Sequence, residues 1–446
     1  MSDIKFRVAI CGGGVGGLTL ALTLSKYPDI VVDVYESTAN YSDIGAGVGI
    51  WPRAFKVLRK LGHDVERDLL RAAGHKWTEE FVPAINYRKS DQPKGEQIFQ
   101  LMTKGDLMRF HRSDFHHVLL SHISPSCKVH YGKRLVTYTQ PLPSSRGNSP
   151  VTLSFTDGST ATCDILVGAD GVRSSVRACM MREMAAGSSE ARAKAILSCI
   201  EPVWSGATAY RTLICAEKLR ARDPNHRALK EPTQFFLVYP ISLGKYINFA
   251  GFALRPELVR TAYQDDADAT RPAFNGSWVA ELSAAQVAQP FEGFEEETKP
   301  LLECVDRGTL WGVHTVKHLP AHNFGRVAIL GDAAHAMMPF QGSGAGQGIE
   351  DAYLLATVLG HKSTTLATVT HALSVYDKVR RPFSAGVAER SRRNGQLCAL
   401  QEDVGLKELG EVITKNWEWA WLSELDGAVE EATQMLEGGG TARPLL

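Results

Sequence analysis

No charge of either sign predominates in this 446-residue chain. Its 49 Lys and Arg balance 49 Asp and Glu, so no global field recruits nucleic acid or anionic lipid. Cysteine is sparse and unpatterned: the eight residues at 11, 127, 163, 179, 199, 215, 304 and 398 form no Cys-x-x-Cys pair. That scatter suits reduced thiols in an intracellular protein better than a disulfide framework. Long apolar runs are missing too. The stretch from Val8 to Leu24 is broken by five glycines, which reads as strand plus helix and not as a signal or membrane span. The ending Arg443-Pro444-Leu445-Leu446 matches no peroxisomal signal, and a cytoplasmic location is expected. There is no internal repeat. What remains is ordinary globular material, 44% hydrophobic and 22% charged, with a length that suggests about two or three domains.

The most informative stretch is Val8-Ala9-Ile10-Cys11-Gly12-Gly13-Gly14-Val15-Gly16-Gly17, followed by Val31-Val32-Asp33-Val34-Tyr35-Glu36. A buried strand meets a glycine turn, a helix follows, and a second strand ends in an acid. Gly12 permits the tight turn, Gly14 lets the backbone approach a pyrophosphate, and Gly17 lets helix pack on strand. The helix then offers free N–H groups to the phosphates. Glu36 comes about 20 residues on, where a carboxylate takes both hydroxyls of a ribose. An acid there disfavours a 2′-phosphate, so the adenosine belongs to FAD or NAD sooner than to NADP.

Three further stretches accompany it. The first is Cys163-Asp164-Ile165-Leu166-Val167-Gly168-Ala169-Asp170-Gly171-Val172-Arg173-Ser174-Ser175-Val176-Arg177. The second, Gly325-Arg326-Val327-Ala328-Ile329-Leu330-Gly331-Asp332-Ala333-Ala334-His335, leads into Pro339-Phe340-Gln341-Gly342-Ser343-Gly344-Ala345-Gly346-Gln347-Gly348. The third is His111-Arg112-Ser113-Asp114-Phe115. In this combination and order the chain resembles the group A flavoprotein aromatic hydroxylases, the salicylate and 3-hydroxybenzoate hydroxylase family, in its fungal form.

The pattern of segments predicts an α/β fold. Residues 1–185 are expected to form the first part of a Rossmann-like FAD-binding domain with a parallel sheet. Strand-like runs at Thr208–Ile214, Thr233–Tyr239 and Tyr246–Ala253, separated by polar loops, place a smaller antiparallel substrate domain in residues 186–310. Residues 311–385 return to the FAD domain, which is therefore discontinuous, and 386–446 form a C-terminal helical segment packed on the outside. Val151–Phe155 and Thr160–Val167 flank Asp157-Gly158 as a hairpin. A helix is read over Val369–Arg380, with Pro382 starting a new segment.

The resemblance implies an FAD-dependent monooxygenase that uses NADH or NADPH and O₂ to hydroxylate a phenolic or hydroxylated aromatic acid, with or without decarboxylation. Reduced flavin takes up O₂ as a C4a-hydroperoxide, and the protein supplies orientation and ring activation. By resemblance, Gly12, Gly14, Gly17 and Glu36 bind FAD together with Arg112, Asp332 and the backbone of Gly344, Ala345 and Gly346. Gly49 and Val136 add backbone contacts, and Asp170 is associated with both FAD and the nicotinamide. No second dinucleotide fold is present, so the nicotinamide binds in a surface groove. Arg211, in Thr208-Ala209-Tyr210-Arg211-Thr212, resembles the substrate-anion arginine of fungal relatives. Tyr239, in Phe235-Phe236-Leu237-Val238-Tyr239-Pro240, matches a pocket-lining tyrosine of bacterial relatives. A phenolate is the stronger nucleophile, so the site needs a partner for the phenol or a cation for its anion.

The departures from the family pattern point to an apolar pocket. Phe235 stands where several relatives carry His, and Pro339-Phe340-Gln341-Gly342 replaces the salicylate-type Pro-His-Gln-Gly. Ring activation therefore falls to Arg211, Tyr239 or a water. Arg53, where the family carries Asn, is expected to cap the Arg53–Leu61 helix from outside. His111, His116 and His117 lack acidic or thiol partners, so no metal is expected. The basic run from Lys378 to Arg393 is read as a solvated helix face. The expected partners are thus a small aromatic, O₂ and the nicotinamide, in a monomer or homodimer. A flavin halogenase is the enzymatic alternative, but its Trp-x-Trp-x-Ile-Pro motif is absent; the other alternative is a non-catalytic FAD-binding redox sensor.

Overall fold

The computed structural model describes residues 4–39, 47–141, 149–229, 233–234, 236–263 and 272–438. Among the expectations above, Phe235, residues 230–232 and 264–271 of the 186–310 segment, and the tail from 439 lie outside the described residues.

A six-stranded sheet forms the centre of the larger part of the molecule. Its order is Asn323–Phe324, Val327–Ile329, Ile165–Gly168, Phe6–Cys11, Ile30–Tyr35 and Lys128–His130. All neighbours are parallel except the short edge strand Asn323–Phe324. Its central strands are covered on both faces, which explains their unbroken apolar sequence. The helices Val15–Leu24 and Gly344–Gly360 share one covering layer. They approach so closely that a Cβ on Gly348 would lie 3.6 Å from Gly16 Cα.

The predicted run Thr160–Val167 divides at Asp164. Thr160–Cys163 pairs back on Val151–Phe155 in a three-stranded sheet, whereas Ile165–Gly168 enters the parallel sheet. Asp164 holds the crossing, since its carboxylate accepts from the Arg7 N–H at 2.7 Å.

An eight-stranded, mostly antiparallel sheet faces the first. It runs Val279–Ser283, Arg307–Thr315, Val203–Cys215, Tyr246–Leu254, Phe236–Ile241, Thr233–Gln234, Phe81–Lys89 and Glu96–Lys104. It therefore reaches beyond residues 186–310, to Thr315 at one end and to the hairpin Phe81–Lys104 at the other. The hairpin joins because Ala84, Ile85, Tyr87 and Leu101 pack beneath Leu409, Ile413 and Trp417. One face of this sheet packs Val238, Ile247 and Phe249 on Phe291 and Leu301. The alternate residues look toward the parallel sheet, as the two-residue strand period requires.

Two expectations near the C-terminus are corrected. The helix does not stop at Pro382; Val369–Cys398 runs through it as one 30-residue element. An interior proline costs about 3 kcal/mol. The two arginines that precede it anchor the helix there: Arg380 bonds Glu350 and Asp351, and Arg381 bonds Asp377. Nor do the terminal helices lie wholly outside: Trp417 and Trp421 are each 2% exposed. Among the described residues no helix is long and apolar enough to cross a membrane.

Candidate active site

The first glycine turn is shaped for a close-lying ligand. Gly12 adopts φ +108°, and a Cβ there would lie 2.2 Å from the Ala169 carbonyl oxygen. A Cβ on Gly17 would lie 2.0 Å from the Gly12 oxygen, whereas around Gly14 nothing lies within 4 Å. The turn is thus closed on its protein side and open at Gly14. Glu36, buried at the end of Ile30–Tyr35, accepts from the Gly13 N–H at 2.7 Å and the Thr38 N–H at 2.8 Å. Burial raises its pKa, but these donors and the Thr38 and Ser37 hydroxyls outweigh that and hold it below the ordinary value.

Two adjoining cavities open from this turn. The smaller, of about 220 Å³, is lined by Gly14, Gly16, Arg112, Gly171, Asp332 and Gly348, among others. Three helices begin at its walls, at Val15, Arg112 and Gly344, so three sets of unpaired N–H groups and their positive dipole ends converge on it. The exposed Arg112 guanidinium has no acidic partner among the described residues. This is the chemistry of a pyrophosphate cradle. The larger cavity, of about 680 Å³, is bounded by Gly49 and by one face of the eight-stranded sheet. Gly47, Asp332, Gly344, Ala345 and Arg211 line both. The residues present therefore fit a dinucleotide lying across the two spaces.

Not every expected residue is brought to these walls. Gly346 lines neither cavity, and a Cβ on it would lie 3.1 Å from the Ala54 side chain. Val136 lies apart, 53% exposed on the strand Leu135–Thr139. The Asp170 carboxylate is turned to its own chain, accepting from the Ser174 hydroxyl at 2.5 Å and the Val176 N–H at 3.1 Å. It fixes the turn whose neighbours Ala169 and Gly171 line the smaller cavity. Burial raises its pKa against those bonds.

Arg211 and Tyr239 both reach the larger cavity from the sheet. Burial lowers the Arg211 pKa, Tyr239 raises it and Arg112 lowers it; a guanidinium nevertheless stays charged. Its positive group lies over the Trp311 ring at 5.6 Å, and no carboxylate pairs with it among the described residues. Burial pushes the Tyr239 phenol up to about 12, against the pull of Arg211 and Arg109. It is a proton donor at neutral pH. Asn248, paired with Tyr239 across the strands, accepts from the Gly47 N–H at 2.9 Å.

Several contributors escaped the sequence reading. Trp51 and Trp417 line the larger cavity and meet edge to face at 4.9 Å. At its mouth Trp278 stacks on His314 at 3.4 Å, with the Arg173 guanidinium 3.8 Å from the Trp278 ring. No motif signals these residues; only strand pairing and the late helices bring them in. Arg53 does not cap its helix from outside. It is buried, bonding Glu350 at 3.0 Å, the Ser423 hydroxyl at 2.7 Å and the Glu424 carbonyl at 2.7 Å. Arg380, read as part of a solvated face, is 1% exposed and bonds Glu350 at 2.9 Å and Asp351 at 2.8 Å. Asp351 in turn accepts from the Gly331 N–H at 3.0 Å and from His335 Nε2. This ionic network pins the Gly331-Asp332 turn (φ +59° at Gly331) to the helix that begins at Gly344.

Comparison with known proteins agrees with this geometry. Residues 5–217 and 294–391 match the family described as FAD binding domain. The chain is 36% identical to an FAD-dependent monooxygenase of Strobilurus tenacellus, over 98% of each chain. It is 31% identical to a salicylate hydroxylase of Pseudomonas putida, covering 99% of this chain and 98% of that one. Among solved structures it is similar to a salicylate hydroxylase substrate complex, with TM-score 0.77 and 28% identity over 96% of this chain and 98% of that one.

Proposed function

The chain belongs to the FAD binding domain family and is an FAD-dependent aromatic monooxygenase; within that class we propose that it uses NADH or NADPH and O₂ to hydroxylate a phenol or a hydroxylated aromatic acid. The observation that carries this reading is that one cavity is shared by Asp332, Gly344 and Ala345 on the cofactor side and by Arg211, a cation without an acidic partner among the described residues, on the other.

Residues 1–185, apart from the hairpin Phe81–Lys104, and 316–385 hold FAD, and the eight-stranded sheet holds the substrate. The Gly12–Gly17 turn and Arg112 take the pyrophosphate, Glu36 the ribose, and Asp332 the sugar hydroxyls. The N–H groups at Gly344 and Ala345 face the ring system. Bound flavin, reduced by the nicotinamide, supplies the activated oxygen from O₂. The chain's own residues do the rest. Arg211 holds the phenolate or carboxylate of the substrate and stabilises the negative charge that makes the ring nucleophilic. Tyr239 donates its proton in a hydrogen bond to the same polar edge. Leu237, Ala250, Phe252 and Val313 exclude water. One substrate, one nicotinamide, one proton and one O₂ give one hydroxylated product, the oxidised nicotinamide and water. A carboxylate on the attacked carbon leaves as carbon dioxide, and the balance then takes a second proton; on any other carbon it stays.

The test is a panel of phenols and hydroxylated aromatic acids with the FAD-loaded protein, following NADH and NADPH oxidation and product identity. Stimulated oxidation with a hydroxylated product is expected. Oxidation that no aromatic stimulates overturns the reading.

A further inference from the structure

The register of the eight-stranded sheet gives the larger cavity two unlike ends. On its cavity-facing side the residues fall in cross-strand rows. Tyr239 stands opposite Asn248, Leu237 opposite Ala250 and Arg211, and Phe252 opposite Ala209 and Trp311. Rows are two residues, or about 7 Å, apart along a strand. Hydrogen-bonding side chains occupy the first two rows; beyond them the row of Phe252 is wholly apolar, as are Ala207 and Val313 in the next.

The opposite wall repeats the pattern. Phe340 meets Phe252 edge to face at 5.3 Å, and Met338 packs in the same cluster with Met337 and Val313 at its margin. The Phe340 ring fills a built slot, since a Cβ on Gly395 would lie 2.3 Å from it. The polar groups at that end, the Arg173 guanidinium and the His314 ring, sit at the mouth and stack with Trp278. From Asn248 to Phe252 the cavity extends about 13 Å, room for a ring and a substituent beyond it.

We infer that the substrate is a hydroxylated aromatic whose polar edge lies at Arg211 and Tyr239 and which carries an alkyl or similarly apolar substituent directed into the lobe of Phe252, Met337, Met338, Phe340 and Val313. The inference rests on the proposed monooxygenase reading of this site. The two methionines, unbranched and polarisable, adapt to the shape of that substituent. A second carboxylate or hydroxyl set among Phe252, Met338, Phe340 and Val313 meets no polar side chain of those residues and bears the cost of an unpaired buried polar group.

Calorimetric titration of the FAD-loaded protein tests this without turnover. The probes are phenol, the methyl-, ethyl- and propylphenols substituted at each ring position, and the carboxyl counterparts. At one ring position affinity is expected to rise about fourfold per methylene, and the carboxyl counterpart to bind at least about tenfold more weakly. Met337→Gln is expected to flatten the gradient. Affinity that is level or falls with chain length at every position overturns the inference. Should that occur while phenols still stimulate nicotinamide oxidation, the inference fails alone. A clear gradient without stimulation by any aromatic leaves the two-ended pocket standing and overturns the monooxygenase reading.

Discussion

Arg211 and Tyr239 stand on the same face of one sheet, one side-chain row apart, with the strand Tyr246–Leu254 between them. Arg211 is opposite Ala250, and Tyr239 is opposite Asn248. The small Ala250 separates cation and phenol on that face, the arrangement on which the proposed contact of both with one polar substituent of the substrate rests.

Replacing Arg211 with Ala is therefore expected to lower kcat/KM by about 10²–10³, the usual loss when a group stabilising transition-state charge is removed. FAD content should fall far less than turnover, because Arg211 only borders the smaller cavity, whose other walls are the glycine turn and Arg112. Steady-state kinetics beside the visible flavin spectrum check this; a loss below about threefold rejects the role.

Tyr239→Phe removes a donor and little volume. A hydrogen bond to a charged group contributes about 1.5–3 kcal/mol, so kcat/KM should fall about tenfold to a hundredfold. Its folded pKa, pushed up to about 12, lies above the ordinary 10.0. The stability it contributes is complete below pH 10 and is lost as pH rises toward 12. Denaturation across that range should show a smaller alkaline loss for the Phe variant than for the parent.

Glu36 works in the opposite direction. Its pKa is held below the ordinary 4.5, so its contribution is present above that pH and lost as the pH falls through the lower folded value. Glu36→Gln should flatten the acid limb of the stability profile and weaken FAD binding about tenfold or more. Flavin fluorescence titration of the apoprotein measures the second effect.

Arg380→Met leaves Glu350 and Asp351 buried beside a neutral chain. Removing one member of a buried ionic network costs about 3–5 kcal/mol, measurable by urea unfolding. Because Asp351 also holds the Gly331 N–H, FAD release should accompany the loss. Unchanged stability would show that the network carries no such weight.

How much of this was legible beforehand follows from the range of the interactions. The turn at Gly12, Gly14 and Gly17 and the carboxylate of Glu36 are local devices, set by backbone conformation and close approach, and they stand in the sequence. The strands carrying Arg211 and Tyr239 were legible as strand-like runs between polar loops. Arg53 and Arg380 were not, because a charge run looks solvated until its partners, Glu350 and Asp351, arrive from another helix. The helix through Pro382 depends on the same distant anchors. The Phe81–Lys104 hairpin and Trp417 joined the site through long-range packing that leaves no periodic trace.

The most direct test of the central claim is to supply the purified, FAD-loaded chain with a phenol, NADPH or NADH and ¹⁸O₂, and to weigh the product. The account predicts a product heavier by a single labelled oxygen atom, formed only when the nicotinamide is present. A protein that binds no flavin, or a product without label, would contradict it.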